Sequence, residues 1–250
     1  MASPGVPAPP HPCPHTSSKI KVKTTWPSQP LLPNSERKPI RTDRLLLRPF
    51  TDSDAEAIFE MRKQPEVMLW TSVGVPDKDI EASRSFVERF TPPNDAQTYD
   101  FAIVYMEGNN EAKEGIVIGS GGAHKVDLQL GWPEVGYMLR KEYWNKGLAT
   151  EFMRAWTQAW WALPRSEVEI EVPVDSVLAV LKTGAEKTGP VIQVPERLTA
   201  IIDANNTGSR RVLQKIGFAE YREWNEPDSR AEFEGNDVTL VGFMLEAPES

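Results

Sequence analysis

Short apolar runs of period two alternate along the chain with longer stretches at helical spacing, a rhythm that predicts a mixed α/β fold. Residues 45–50 read as a strand. Thr51-Asp52-Ser53-Asp54 then offers helix caps ahead of an apolar series through Ala57, Ile58 and Met61. A second helix is predicted over 79–90, leaving 64–78, with Trp70, as a loop. Strands over 99–105 and 116–123, parted by the turn-rich 107–115, suggest a hairpin, and 133–139 forms the next strand. The clearest helix covers 148–163, where Leu148, Phe152, Trp156, Ala159, Trp160 and Leu163 fall on one stripe. A strand over 198–202, a helix over 206–216 ending at Gly217, and an antiparallel pair over 218–224 and 237–245 close the series. The expected fold is a mixed sheet with helices on both faces.

Two segments stand outside this rhythm. Residues 164–197 read as an insertion with a strand over 166–172, a helical turn over 176–181 and a polar loop over 182–195. Ten of the 22 prolines lie within residues 1–39. Proline fixes φ and removes a backbone donor, so 1–39 is expected to be an extended or disordered leader, with the folded body over 40–247. His11-Pro-Cys13-Pro-His15 in that leader is a poor metal grip, because prolines between ligands resist a closed geometry.

Composition narrows the function. A chain of 250 residues with 40% hydrophobic and 26% charged residues can bury one sizeable core, and one catalytic unit is expected. Without an apolar run of membrane-spanning length or a basic-then-apolar start, a soluble, cytoplasmic protein is expected. Cys13 is the sole cysteine, and His11, His15 and His124 are the only histidines, so thiol and zinc chemistry recede and no metal is expected. The net charge is -8; the first 40 residues carry five basic residues against Glu36, so the body is more acidic still. That field disfavours nucleic acid and mildly favours a cationic substrate.

Two stretches carry chemistry. In the first, Glu134 to Glu151, a strand ends near Leu139, a short loop follows and the striped helix begins close to Gly147. The first amides of a helix lack carbonyl partners and sit at the positive end of its dipole, which makes an anion site. Gly147 permits close approach, Ala149 keeps the next turn small, and Lys146 and Thr150 add a charge and a hydroxyl; a phosphate or diphosphate is the natural guest. By itself this junction is common to α/β proteins. The chain lacks a G-x-x-x-x-G-K-[ST] loop, and Gly119-Ser120-Gly121-Gly122-Ala123-His124 lacks the third glycine of the dinucleotide fingerprint. In the second stretch Asn206 caps a helix and Ser209 lies one turn on, an arrangement that capping alone also explains. Ser209 is in no G-x-S-x-G elbow, and no histidine is placed to activate it.

In order, Glu134-x-Gly136-Tyr137, then Tyr143-Trp144-x-Lys146-Gly147-x-Ala149-Thr150-Glu151, then Asn206-x-x-Ser209-x-x-x-Leu213-x-Lys215-x-Gly217-Phe218 resemble the GNAT N-acetyltransferases. Thr42-Asp43-Arg44-Leu45-Leu46-Leu47-Arg48-Pro49 and Pro65-Glu66-Val67-Met68 extend the likeness to the RimJ/RimL-type branch, over about 41–245. The resemblance implies a mostly antiparallel sheet splayed between strands 134–139 and 198–202, with acetyl-CoA in the splay. Backbone groups of Met138 and Leu139 would pair with the pantetheine amides. The amides of Asn145, Lys146, Gly147, Leu148, Ala149 and Thr150 would hold the diphosphate, Asn206 would touch the pantetheine arm and Ser209 would sit near sulfur. Trp144 departs from the common Q/R-x-x-G-x-G/A loop, and the insertion at 164–197 is unexpected. It is read as a cover for the acceptor site, a protein contact or a tolerated loop.

The implied reaction is transfer of acetyl to a primary amine, a protein N-terminus or a small molecule, by direct attack in a ternary complex. Glu134 is the candidate base, acting through water, or a group that only orders the acceptor; Ser209 is the candidate proton donor to sulfur, or only orients the arm. An amide near Met138 or Leu139 would polarise the thioester carbonyl. His124, the body's lone imidazole, reads better as an exposed strand-end residue than as a base. Trp70 reads as packing or as acceptor-pocket lining. A monomer or homodimer without membrane or nucleic-acid partners is expected. The competing reading is a CoA-binding scaffold without catalysis, whose proline-rich leader docks to a partner.

Overall fold

The computed structural model describes residues 18–106, 115–123, 131–178 and 191–248. Five antiparallel strands form the main sheet in the order β2 (Ile40–Arg41), β3 (Leu45–Arg48), β4 (Tyr99–Tyr105), β5 (Ile116–Ala123), β6 (Val135–Leu139). A second sheet places β11 (Asp237–Glu246) between β9 (Arg197–Asp203) and β10 (Ala219–Pro227), again antiparallel. The two sheets meet at a single parallel bridge, Glu134 to Thr199. Beyond it β6 and β9 run the same way without pairing, so a wedge opens between them toward Leu139 and Asp203.

Alternation along the strands feeds two layers of core. Phe101 and Ile103 of β4, with Val135 and Leu139 of β6, pack under α4 (Leu148–Trp161), whose Leu148, Phe152, Trp156 and Trp160 are buried, and under Leu213 of α5 (Thr207–Ile216). Ala102 and Met138 face the other way, onto Phe50, Ile58 and Met61 of α1 (Ala55–Arg62), Val67 of α2 (Pro65–Met68) and Val87 of α3 (Ile80–Glu88). Helices thus cover both faces. Gly121 of β5 lets α4 pack closely on the sheet: a Cβ there would come within 2.6 Å of the Phe152 ring and 2.8 Å of Tyr137 Cβ.

The segment expected to be a disordered leader is built differently from residue 18 onward. Lys19–Pro27 forms β1, paired antiparallel along its whole length with β7 (Arg165–Pro173) and in parallel with β8 (Ile192–Gln193). The leader and the insertion are therefore one sheet. The ten leader prolines flank residues 15–26 and spare them, and within that gap Ile20, Val22, Thr24 and Trp26 alternate with polar residues as a half-buried strand does. Val168, Ile170 and Val172 alternate in the same phase opposite them. The inner face packs Val22, Trp26 and Val172 with Trp132, Val177 and Val194 into a satellite core, while the outer face pairs Lys21 with Glu169 and Lys23 with Glu167, both at 2.8 Å. Of the helical turn expected over 176–181, the start is seen as a 3-10 turn at Val174–Val177 leading into Leu178, and residues 179–181 lie outside the described residues. His11, Cys13, His15, His124, the turn at 107–114 and much of the polar loop at 182–195 lie outside the described residues.

Candidate active site

Beyond its 3-10 turn at Lys141–Tyr143, the chain turns through Asn145 at φ 58° and Gly147 at φ 78° before α4 begins. The first amide of the helix to reach a carbonyl is that of Glu151, bonded at 3.0 Å to Gly147. The amides of Asn145, Lys146, Gly147, Leu148, Ala149 and Thr150 donate to no group among the described residues, and Asn145, Lys146 and Gly147 are exposed. A Cβ on Gly147 would meet only the Arg44 guanidinium, at 3.6 Å, so the concave side of the turn is open. A row of unused N–H groups at a helix N-terminus, beside open space, fits a diphosphate. Trp144, the departure from the common loop pattern, donates its indole N–H to the Leu139 carbonyl at 2.8 Å and wedges between the two core layers, which ties the loop to the end of β6.

One expected backbone assignment changes. Arg140 N–H bonds the Ile118 carbonyl at 2.8 Å, so by the alternation of an antiparallel ladder Met138 also directs its amide and carbonyl at β5, opposite Ser120. Tyr137 and Leu139 direct theirs into the wedge. The backbone groups open to an arm lying there are the amide and carbonyl of Tyr137 and the amide of Leu139, whose carbonyl takes the Trp144 indole, and Met138 supplies a side chain to the opposite core.

Across the wedge, Asn206 caps α5 by accepting the Ser209 amide at 3.0 Å, as its place in the sequence predicts. The Ser209 hydroxyl also meets β6: Tyr137 Oη donates to Ser209 Oγ at 3.3 Å. Burial pushes the Tyr137 phenol up to about 12, so it stays protonated and keeps donating. The motif around Tyr137 marks no role for its side chain; the signal for one is its odd-numbered place on β6, which aims it at the α4 and α5 face.

Glu134, half-buried, sits at the vertex of the wedge, on the opposite face of the strand from Tyr137 and about 10 Å away along it. The vertex is braced from the insertion. Thr199 N–H bonds the Pro133 carbonyl at 2.8 Å, and Trp132 donates to Ser176 at 3.0 Å, which in turn donates to the Pro173 carbonyl at 2.7 Å. Arg197, buried over the Trp132 ring, bonds Ser176 and, at 2.6 Å, Glu246. Close by, burial holds the Tyr221 phenol well above its usual range, with the carboxylates of Asp175 and Glu134 adding to the effect. No sequence signal marked Tyr221.

The loop containing Trp70 crosses the open end of the wedge. At one side Gln64 accepts the Lys141 amide at 2.8 Å and Glu66 pairs with the Lys141 side chain, just beyond β6. At the other, Arg230 reaches the Leu69 carbonyl at 2.9 Å and Asp203, the last residue of β9, at 3.0 Å. Trp70 and Val73 are exposed on this strap. Among the described residues no helix is long and apolar enough to cross a membrane.

Comparison with known proteins agrees with this geometry. The profile of the acetyltransferase (GNAT) domain matches residues 44–219. An uncharacterized N-acetyltransferase, p20 of Bacillus licheniformis, is 29% identical over 111 residues, 44% of this chain; the chain spans 58% of that protein's length. Another, YoaA of Bacillus subtilis, is 29% identical over 187 residues, covering 72% of this chain and 81% of YoaA. Among solved structures, Mycobacterium smegmatis RimJ in complex with CoA-disulfide superposes with a TM-score of 0.53 at 19% identity, over 85% of this chain and 89% of that one, a likeness of fold. The sheet split at Glu134, the free amides at the start of α4 and a profile match over most of the chain lead to one assignment: this chain belongs to the GNAT acetyltransferase family.

Proposed function

We propose that the protein transfers an acetyl group from acetyl-CoA to a primary amine, a protein N-terminus or a small molecule, as a RimJ/RimL-type enzyme. The observation that carries this reading is the run of unused amides from Asn145 to Thr150 with the open turn at Gly147, in line with the wedge and with Ser209 halfway along it. The co-crystallised CoA-disulfide of RimJ, on the same fold, supports CoA as the guest.

In this reading the loop amides hold the diphosphate, and Tyr137 and Leu139 offer backbone partners to the pantetheine amides. The Asn206 side-chain nitrogen, unused in capping, faces the same arm. The Tyr137 N–H, level with Ser209, is the donor placed to polarise the thioester carbonyl. Glu134 lies too far from Ser209 along β6, and on the wrong face, to touch an amine at the sulfur, so it takes the ammonium proton through water. The neutral amine then forms the new C–N bond as the C–S bond breaks. Ser209 gives its proton to the departing thiolate and takes back the second proton shed by the newly acylated nitrogen, while Tyr137, donating to Ser209 Oγ, keeps the hydroxyl proton turned into the wedge. The strap through Trp70 forms the acceptor wall.

Incubation with acetyl-CoA and a panel of amines, with thiol release followed by a colour reagent, tests the proposal. Gly147→Trp should abolish CoA binding, and Ser209→Ala should lower kcat about 100-fold with little change in KM for acetyl-CoA. CoA binding without turnover of any amine would favour the non-catalytic scaffold.

A further inference from the structure

Glu151 lies in the first turn of α4, one turn beyond Gly147. A carboxylate there suits the helix dipole but opposes a second anion at the same terminus. Its donors come from a distant stretch of chain. The Thr42 hydroxyl reaches Glu151 Oε1 at 2.6 Å, the Arg44 amide reaches the same oxygen at 2.8 Å, and Arg44 Nε and Nη2 reach Oε2 at 2.8 and 2.7 Å. The remaining arm of the guanidinium, Nη1, donates to the Lys146 carbonyl at 3.0 Å. One side chain therefore touches both the acid of the first turn and the backbone of the anion loop. Burial works against the ionised form of Glu151, yet the bonds from Thr42 and Arg44 hold its carboxyl below the usual range, so the acid stays charged and needs its cation.

We infer that Arg44 is a positioning residue for the diphosphate: it cancels the Glu151 charge beside the anion site and, through Lys146, holds the loop in the shape that turns its amides outward. The inference rests on the reading of this junction as the CoA site. It assigns a purpose to two motif residues that touch no part of the wedge, Arg44 at the start of the domain and Glu151 inside α4.

Calorimetric titration of CoA into the full chain separates the possibilities. Arg44→Ala should weaken CoA binding about tenfold or more, and Arg44→Lys, which keeps the charge but not the fork, should lose less. The diagnostic variant is Arg44→Ala/Glu151→Gln. With the uncompensated carboxylate gone, it should recover most of the affinity lost by Arg44→Ala, whereas a merely structural clamp would make the double variant as weak or weaker. If Arg44→Ala does not fold, the same rescue is read in an Arg44→Gln background, which also removes the charge. CoA affinity unchanged in the arginine variants, or no rescue by Glu151→Gln, overturns the inference while leaving the site reading in place. A wild-type chain that binds no CoA, or a Gly147→Trp variant that binds it normally, overturns both.

Discussion

At the β6–α4 junction six consecutive amides find no partner among the described residues and the chain turns through two residues of positive φ, whereas in the β1–β7–β8 sheet the backbone is paired along nine residues and the side chains set the register. The first region is made of backbone whose amides face open space. The second is made of side chains and is shaped for itself, yet it reaches the site through Trp132 and Ser176, next to Glu134. On the reading proposed above, a guest completes the exposed loop. The sheet instead buries its apolar face in its own satellite core.

The comparison breaks most sharply at Val22, fully buried on β1. Val22→Asp places an unpaired charge in the satellite core and should cost about 4 kcal/mol, a fall of about 10 °C in Tm for a chain of this size. A calorimetric Tm unchanged to within a degree or two would mean that the sheet adds nothing to the fold.

A smaller effect is expected at the second anchor of the same N-terminal segment. Arg37 donates to the carbonyls of Leu32, Asp95 and Thr98 and lies near the carboxyl of Asp100 on β4. Burial lifts Asp100 to about 7, although Arg89 and Arg37 pull it down. The folded protein keeps a proton that the unfolded chain releases near pH 4, so the stability linked to it is full below that pH and is lost as pH rises through about 7. Asp100→Asn, which cannot ionise, should therefore gain on the wild type more at pH 8 than at pH 5. Equal differences in Tm at the two pH values would contradict the buried, proton-holding state.

The smallest effect sharpens the contrast between the two faces of the added sheet. Lys21→Ala removes the exposed pair with Glu169 and should leave Tm unchanged, because solvent screens such pairs and the inner face carries the stability. A clear fall in Tm would give the charged face a share that its exposure argues against.

Legibility followed the same division. A turn made of backbone writes itself into local sequence, as glycine and small residues ahead of an apolar stripe, and so Gly147, Ala149 and Asn206 were readable with their neighbours. So were the strands of the main sheet and the stripe of α4. The β1–β7 pairing joins residues about 140 positions apart, and each half shows only alternation; the flanking prolines then outweighed Ile20, Val22 and Trp26 in the reading of the leader. Which of Met138 and Tyr137 faces the wedge depends on ladder phase, fixed by the Arg140 to Ile118 bond and invisible in composition. The clamp from Arg44 to Glu151 was hidden for a similar reason: both residues were quoted in motifs, but only the fold brings the start of the domain to the first turn of α4.

The central claim is that the loop amides themselves grip the coenzyme. Titration of the nitrogen-15 labelled chain with CoA, followed by amide resonances, tests it most directly. The amides of Asn145, Lys146, Gly147, Ala149 and Thr150 should move farthest, downfield as each gains a phosphate oxygen. Saturable CoA binding that leaves those five resonances in place would contradict the account.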